Sequence, residues 1–99
     1  MDVWHTHRDL RFVWDAEKAA SNVRDHGISF ENACEVFLDP FVRVVDASRN
    51  QEARDKAIGY TADTDSLLCV VHILIEDDAI RIISAWSASP TERKQYEDY

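Results

Sequence analysis

LLCVVHILIEDDAIRIISAW, residues 67–86, is the stretch that decides the fold. Leu67 to Ile75 is an almost unbroken apolar, β-branched run, which predicts a central strand buried on both faces. Glu76-Asp77-Asp78 turns the chain, and Ala79 to Trp86 returns as the last strand. Strict alternation there puts Arg81, Ile83 and Ala85 on one face and Ile80, Ile82, Ser84 and Trp86 on the other. Upstream, Phe41 to Asp46 and Ala53 to Tyr60 also carry a period of two, with a turn over Thr61 to Ser66. Consecutive strands with tight turns predict an antiparallel meander.

Helical signals flank this sheet. After Trp86, Ser89 is an N-cap, Pro90 takes the first helical position, and Glu92 at N3 completes a capping box. Before it, Arg11 to Trp14 reads as a short strand and Asp15 as the cap of a helix over AEKAASNVRDH, with Ala16, Ala20 and Val23 on one stripe. Gly27 suits the left-handed position that ends such a helix. Ser29 caps a second helix, FENACEVFL, whose Phe30, Ala33, Cys34 and Phe37 share a face, and Asp39-Pro40 stops it. The expected architecture is α+β, with residues 1–10 an N-terminal extension and 11–99 a single domain.

Composition narrows the classes. Ninety-nine residues make one domain, and an apolar fraction of 45% is enough for a core. No run approaches the ~18 to 20 apolar residues of a membrane span, and MDVWHTHRDL lacks the apolar region of a signal peptide. Cys34 and Cys69 match no metal or redox spacing and read as buried thiols, so a cytoplasmic location is expected. The net charge is −8. A nucleic-acid binder usually carries a basic stripe, so any RNA contact here must come from a small basic pocket. A basic protein partner fits more easily.

Several side chains are candidates for chemistry, each with a plainer reading beside it. Arg81 among isoleucines must reach solvent, a carboxylate or a phosphate. His72 is either a core histidine bonded to a backbone carbonyl or a proton-transfer group. Arg54 and Lys56 share a face and could hold a phosphate, or they decorate a solvated edge. Arg93 and Tyr96, three apart on the last helix, are packing plus surface charge or part of a site. His26 suits a helix C-terminus, and His5 with His7 makes a weak metal pattern. Neither a cofactor motif nor a metal set stands out, and neither is expected.

The chain also resembles a known family. FVWDAEKAASNVRDHGISFENACEVFLDP (12–40), ARDKAIGYT (53–61), VVH (70–72) and the ending IRIISA…ERKQYE recur in the order and spacing of the BrnT family of type II toxins, over about residues 11–97. The resemblance implies a RelE-like fold, a twisted antiparallel sheet with two N-terminal helices and one C-terminal helix. It also implies a metal-free ribonuclease that blocks translation. Its partner would be a BrnA-type antitoxin, basic and ribbon-helix-helix, in a hetero-oligomer that touches DNA only through the antitoxin. On the family's pattern Arg54, Arg81 and Tyr96 are the catalytic candidates: the arginines as phosphate clamps, Tyr96 as a general acid or a base-stacking ring. Lys56, His72, Trp86 and Arg93 would bind substrate. One departure stands out, since the family's Ser-Ala-Arg is Ser84-Ala85-Trp86 here. Trp can stack a base but cannot neutralise a developing charge, so a weakened or inactive antitoxin-binding module is the alternative.

Overall fold

The run at 67–75 is, in the computed structural model, the strand around which the sheet is built. The structure describes residues 1–62 and 65–98. Six strands form one sheet: β1 (Asp2–His7), β2 (Leu10–Asp15), β3 (Arg43–Asp46), β4 (Asp55–Tyr60), β5 (Leu67–Ile75) and β6 (Ala79–Ser87), in the order β1-β2-β6-β5-β4-β3. Helix α1 (Ala16–His26) and α2 (Phe30–Ala33), which continues as a 3-10 segment over Cys34–Leu38, follow β2, and α3 (Pro90–Glu97) closes the chain. The meander β3-β4-β5-β6 is antiparallel, as the alternation predicts. The turn over 61–66 joins β4 to β5, although its tip at 63 and 64 lies outside the described residues.

Three expectations about the sheet need correction. The sheet is mixed, because β2 joins β6 in parallel through Phe12↔Ile80 and Val13↔Arg81. Parallel neighbours need a long crossover, and here that link comprises α1, α2 and the whole meander. Residues 2–7, within the stretch expected as an extension, form edge strand β1 antiparallel to β2. Strict alternation also fails along β6. The register on β5 slips between Val71 and His72, which face Ser84 and Ile82, so Ile83 is a bulge. Ala85 therefore points to the same side as Ile80 and Ile82, while Ser84 and Trp86 join the face of Arg81.

The main core lies between the sheet and the two N-terminal helices, with Phe12, Trp14, Phe30, Ala33, Val36, Leu68, Val70, Ile80 and Ile82 at its centre. Phe30, Ala33 and Cys34 are buried and Phe37 packs against them, so the second helix faces as its pattern says. Gly59 is where β4 meets the 3-10 segment: a Cβ there would lie 3.0 Å from both Val36 Cγ1 and the Val36 carbonyl. The first helix does not face as predicted, since Ala16, Ala20 and Val23 are exposed while Ala19 and Asn22 turn inward. Asn22 does what an apolar stripe cannot. Beyond Val13↔Arg81 no further β2–β6 pair covers the edge of β6. There the Asn22 amide donates to the Ala85 carbonyl at 2.9 Å and its oxygen accepts from the Ala85 amide at 3.1 Å. A second bond to Ile28 O, 2.9 Å, holds the loop after α1. The side chain thus stands in for the missing strand.

On the opposite face, α3 covers a smaller cluster of Ile58, Leu67 and Cys69 with Val45, Tyr60, Trp86, Ala88 and Tyr96. The predicted capping box is present: Ser89 Oγ accepts from the Glu92 amide at 3.1 Å and Glu92 accepts from the Ser89 amide at 3.0 Å. Helix α3 leaves the Arg81 end of this face uncovered.

Candidate functional site

The register of four strands sets up the open part of that face. Trp4 pairs with Val13, Val13 with Arg81, and Arg81 with Ile73. Asp55 faces His72, so Arg54, one residue back, stands beside Ile73, and the two line one hollow with Asp46 and Ser48. Paired residues share a face, and strands lie ~4.8 Å apart. Arg81 therefore sits centrally, with Arg54 on one side and Trp4 on the other, each about two strand spacings, or ~10 Å, away.

Both arginines hold carboxylates. Arg81 makes a two-pronged pair with Asp2, Nη2 to Oδ2 at 2.9 Å and Nη1 to Oδ1 at 3.3 Å. The bond to Asp2 raises the Arg81 pKa, and the same bond lowers that of Asp2. Arg54 donates to Glu52 Oε2 at 2.7 Å. Lys56 does not join Arg54 in a cation pair, because it reaches the other way, to Glu92 Oε2 at 2.8 Å.

Glu92 is the hub at the α3 end. Besides Lys56 and the cap bond, it accepts from the indole Nε1 of Trp86 at 3.0 and 3.2 Å. Burial works against its charge, but the bonds from Lys56, the Ser89 amide, Trp86 and Cys69 outweigh it and hold its pKa at about 2. Trp86 is consequently a half-buried packing residue with its polar edge satisfied. What remains exposed faces a hollow shared with Asp25, His26 and Ser87, and the His26 ring lies 6.2 Å away. Trp86 and Lys56 thus share Glu92.

Tyr96 and Arg93 belong to a second knot. The Tyr96 hydroxyl donates to Asp39 Oδ2 at 2.6 Å, and the Tyr60 and Phe41 amides donate to the same carboxylate at 2.9 Å each. Burial opposes the charge on Asp39, yet these bonds keep its pKa below the ordinary carboxylate value. Arg93 Nη1 donates to the Tyr60 hydroxyl at 3.1 Å, and the Tyr60 and Tyr96 rings meet edge to face at 5.4 Å.

His72 sits on the other face of the sheet, buried against Phe37 at 4.9 Å, with Nδ1 3.1 Å from the Val70 carbonyl. Burial lowers its pKa. The plain core reading describes it, and β5 itself separates it from Arg81 and Arg54. Burial likewise pushes the thiols of Cys34 and Cys69 up to about 12. His5 and His7 stack at 6.2 Å, and no metal-sized cluster of His, Cys, Asp or Glu occurs among the described residues.

The structure thus brings Arg54 and Arg81 onto one row, and Lys56 with Trp86, and Arg93 with Tyr96, under or beside α3. It does not bring His72 to them. Glu92 and Asp39, which organise both knots, are the residues that sequence reasoning passed over. Each had already been given a local task, as a cap partner and as a helix stop, and nothing in the spacing points from Glu92 to Lys56 or from Asp39 to Tyr96.

Comparison with known proteins adds independent findings. The sequence model of a family described as "Ribonuclease toxin, BrnT, of type II toxin-antitoxin system" matches residues 14–92. The crystal structure of the Brucella abortus ribonuclease toxin BrnT superposes with a TM-score of 0.61 at 28% identity, covering 77% of this chain and 92% of that one. No curated protein sequence matches.

Proposed function

The chain belongs to the BrnT family of ribonuclease toxins of type II toxin–antitoxin systems, and from that premise we propose that it is an endoribonuclease that cuts RNA without a metal, stops translation, and is neutralised by a basic BrnA-type antitoxin. The observation that carries the reading is the family match across residues 14–92, which spans β4, β5, β6 and the row they build. The sheet with α3 across part of one face is read here as a RelE-like arrangement. The protein works inside the cell on RNA and meets DNA only through its antitoxin.

A metal-free cut needs three things: removal of the 2′-hydroxyl proton, charge to stabilise the phosphorane, and a proton for the leaving oxygen. Arg81 and Arg54 supply the charge. A guanidinium that grips a carboxylate with two prongs presents the same fork to a phosphate, so substrate takes the place of Asp2 and Glu52. Tyr60, against which Tyr96 packs, pairs with Leu67, whereas Arg81 pairs with Ile73, about 20 Å along β5. Tyr96 therefore enters as a stacking ring for a more distant base, and the protons at the scissile phosphate move through water. Lys56 and Arg93 border the substrate path. Trp86 and His72 enter as packing residues rather than contacts.

One observation favours a second reading, a weakened or inactive antitoxin-binding module. Arg54, Arg81 and Lys56 are each paired with a carboxylate, and Trp86 stands where the family carries Arg. Purified protein in a cell-free translation reaction separates the two. RNA cleavage that survives EDTA, and falls about 100-fold or more in Arg81→Ala, establishes the nuclease. Intact RNA and full translation at high dose establish the module.

A further inference from the structure

Trp4 lies outside the matched segment and plays no part in the core. Its residue is 57% exposed, on edge strand β1, and its side chain shares the face of Arg81 through Val13. The Arg11 guanidinium sits 5.7 Å from the centre of its ring, while Arg11 Nη2 is anchored to the Asp77 carbonyl at 2.9 Å. A single exposed aromatic is ordinary surface, but this one has a guanidinium against its ring and stands on the same sheet face as Arg81. Resting on the ribonuclease reading above, we propose that Trp4 stacks on a base of single-stranded RNA next to the nucleotide whose phosphate Arg81 holds, so that the N-terminal strand is part of the substrate site.

The geometry has the parts that single-strand recognition uses: a π-face, a cation stacked on it, and phosphate-binding arginines in line. The row Trp4–Val13–Arg81–Ile73 crosses four strands, and Arg54 extends it past Ile73. Arg11 covers one side of the indole and fixes its plane, leaving exposed ring surface for a base. A protein partner adding a strand would instead engage the free backbone edge of β1, for which an outward indole on the sheet face is unnecessary.

The test uses the full chain and a short single-stranded RNA with methylated 2′-hydroxyls, which binds without being cut, alongside its cleavable counterpart. Trp4→Ala binds on the order of 10-fold more weakly and raises KM while kcat is kept, as for a contact made equally in ground and transition states. Trp4→Phe retains most of the affinity. Trp4→Leu keeps an apolar cover over Val13 without a π-face and binds as poorly as Trp4→Ala; equal melting temperatures confirm intact folds. If Trp4→Ala binds RNA like the parent while Arg81→Ala binds weakly, the stacking role is overturned and the ribonuclease reading stands. If the parent neither binds nor cuts RNA, both fall together. Loss of affinity confined to a basic ribbon-helix-helix antitoxin overturns the RNA assignment and makes β1 a protein-binding surface.

Discussion

Asn22 shows how much a single buried amide can hold. It satisfies both backbone groups of Ala85 on an otherwise unpaired stretch of β6. Asn22→Ala leaves those groups without partners, at about 1 to 3 kcal/mol each, so urea unfolding should show a loss of about 2 to 6 kcal/mol. Acid stability is set by other residues. His72 and Glu92 both have folded pKa values below their unfolded ones, so protonation favours the unfolded chain in each case. Stability therefore declines first as pH falls below the unfolded histidine value of ~6.5. It declines again from the ordinary carboxylate value of 4.5 toward about 2 for Glu92. Unfolding followed against pH should lose the first step in His72→Gln and weaken the second in Glu92→Gln. These roles were only half legible: Asn22 stood in the motif that carries the family resemblance, but its hydrogen bonds join residues 63 positions apart.

Elements were read more reliably than the faces they present. Helix α1 spans the expected AEKAASNVRDH, β5 has the expected ends, and the cap of α3 was readable because its atoms lie within three residues of one another. The faces went wrong where a tertiary contact decided them. The outward alanines and Val23 of α1 gave way to Asn22, and the bulge at Ile83 reversed the side of Ala85. Strand β1 was missed because MDVWHTH carries little apolar signal and its pairing partner alone makes it a strand. The capping box gives the test at this scale. Ser89→Ala removes the acceptor of the Glu92 amide, which costs about 1 kcal/mol, and frees the end of α3 that holds Glu92 to Lys56. Circular dichroism melting should show a lower midpoint, and Lys56 should become more reactive toward amine-labelling reagents.

The whole molecule is acidic, with a net charge of −8, so on the proposed reading its arginine row draws RNA through a repelling field. The basic antitoxin proposed above would meet the opposite situation. Raising salt screens both effects, so the association rate with the antitoxin should fall steeply between about 50 and 300 mM salt, while that with short RNA should stay level or rise. Stopped-flow mixing with each partner checks the contrast. Net charge was legible from composition alone, whereas the row was not, because it depends on the strand register and, at its Trp4 end, on β2 entering parallel to β6.

That parallel seam has a consequence for how the chain comes apart. The backbone ladder between the N-terminal hairpin and the meander is just Phe12↔Ile80 and Val13↔Arg81. The rest of that junction is made by side chains: the Asn22 bonds, the Arg81–Asp2 pair, the Arg11–Asp77 bond and the shared core. The meander itself is joined by long antiparallel ladders, six pairs between β4 and β5 and eight between β5 and β6. Contacts so distant in sequence close late in folding, and a two-pair junction is where a native protein opens first. Native-state hydrogen exchange should then show β1, β2 and α1 releasing protection as one cooperative unit, at lower free energy than β5. The half of the proposed site that carries Trp4 would come and go as a piece, while Arg54 and Arg81 stay on a standing floor.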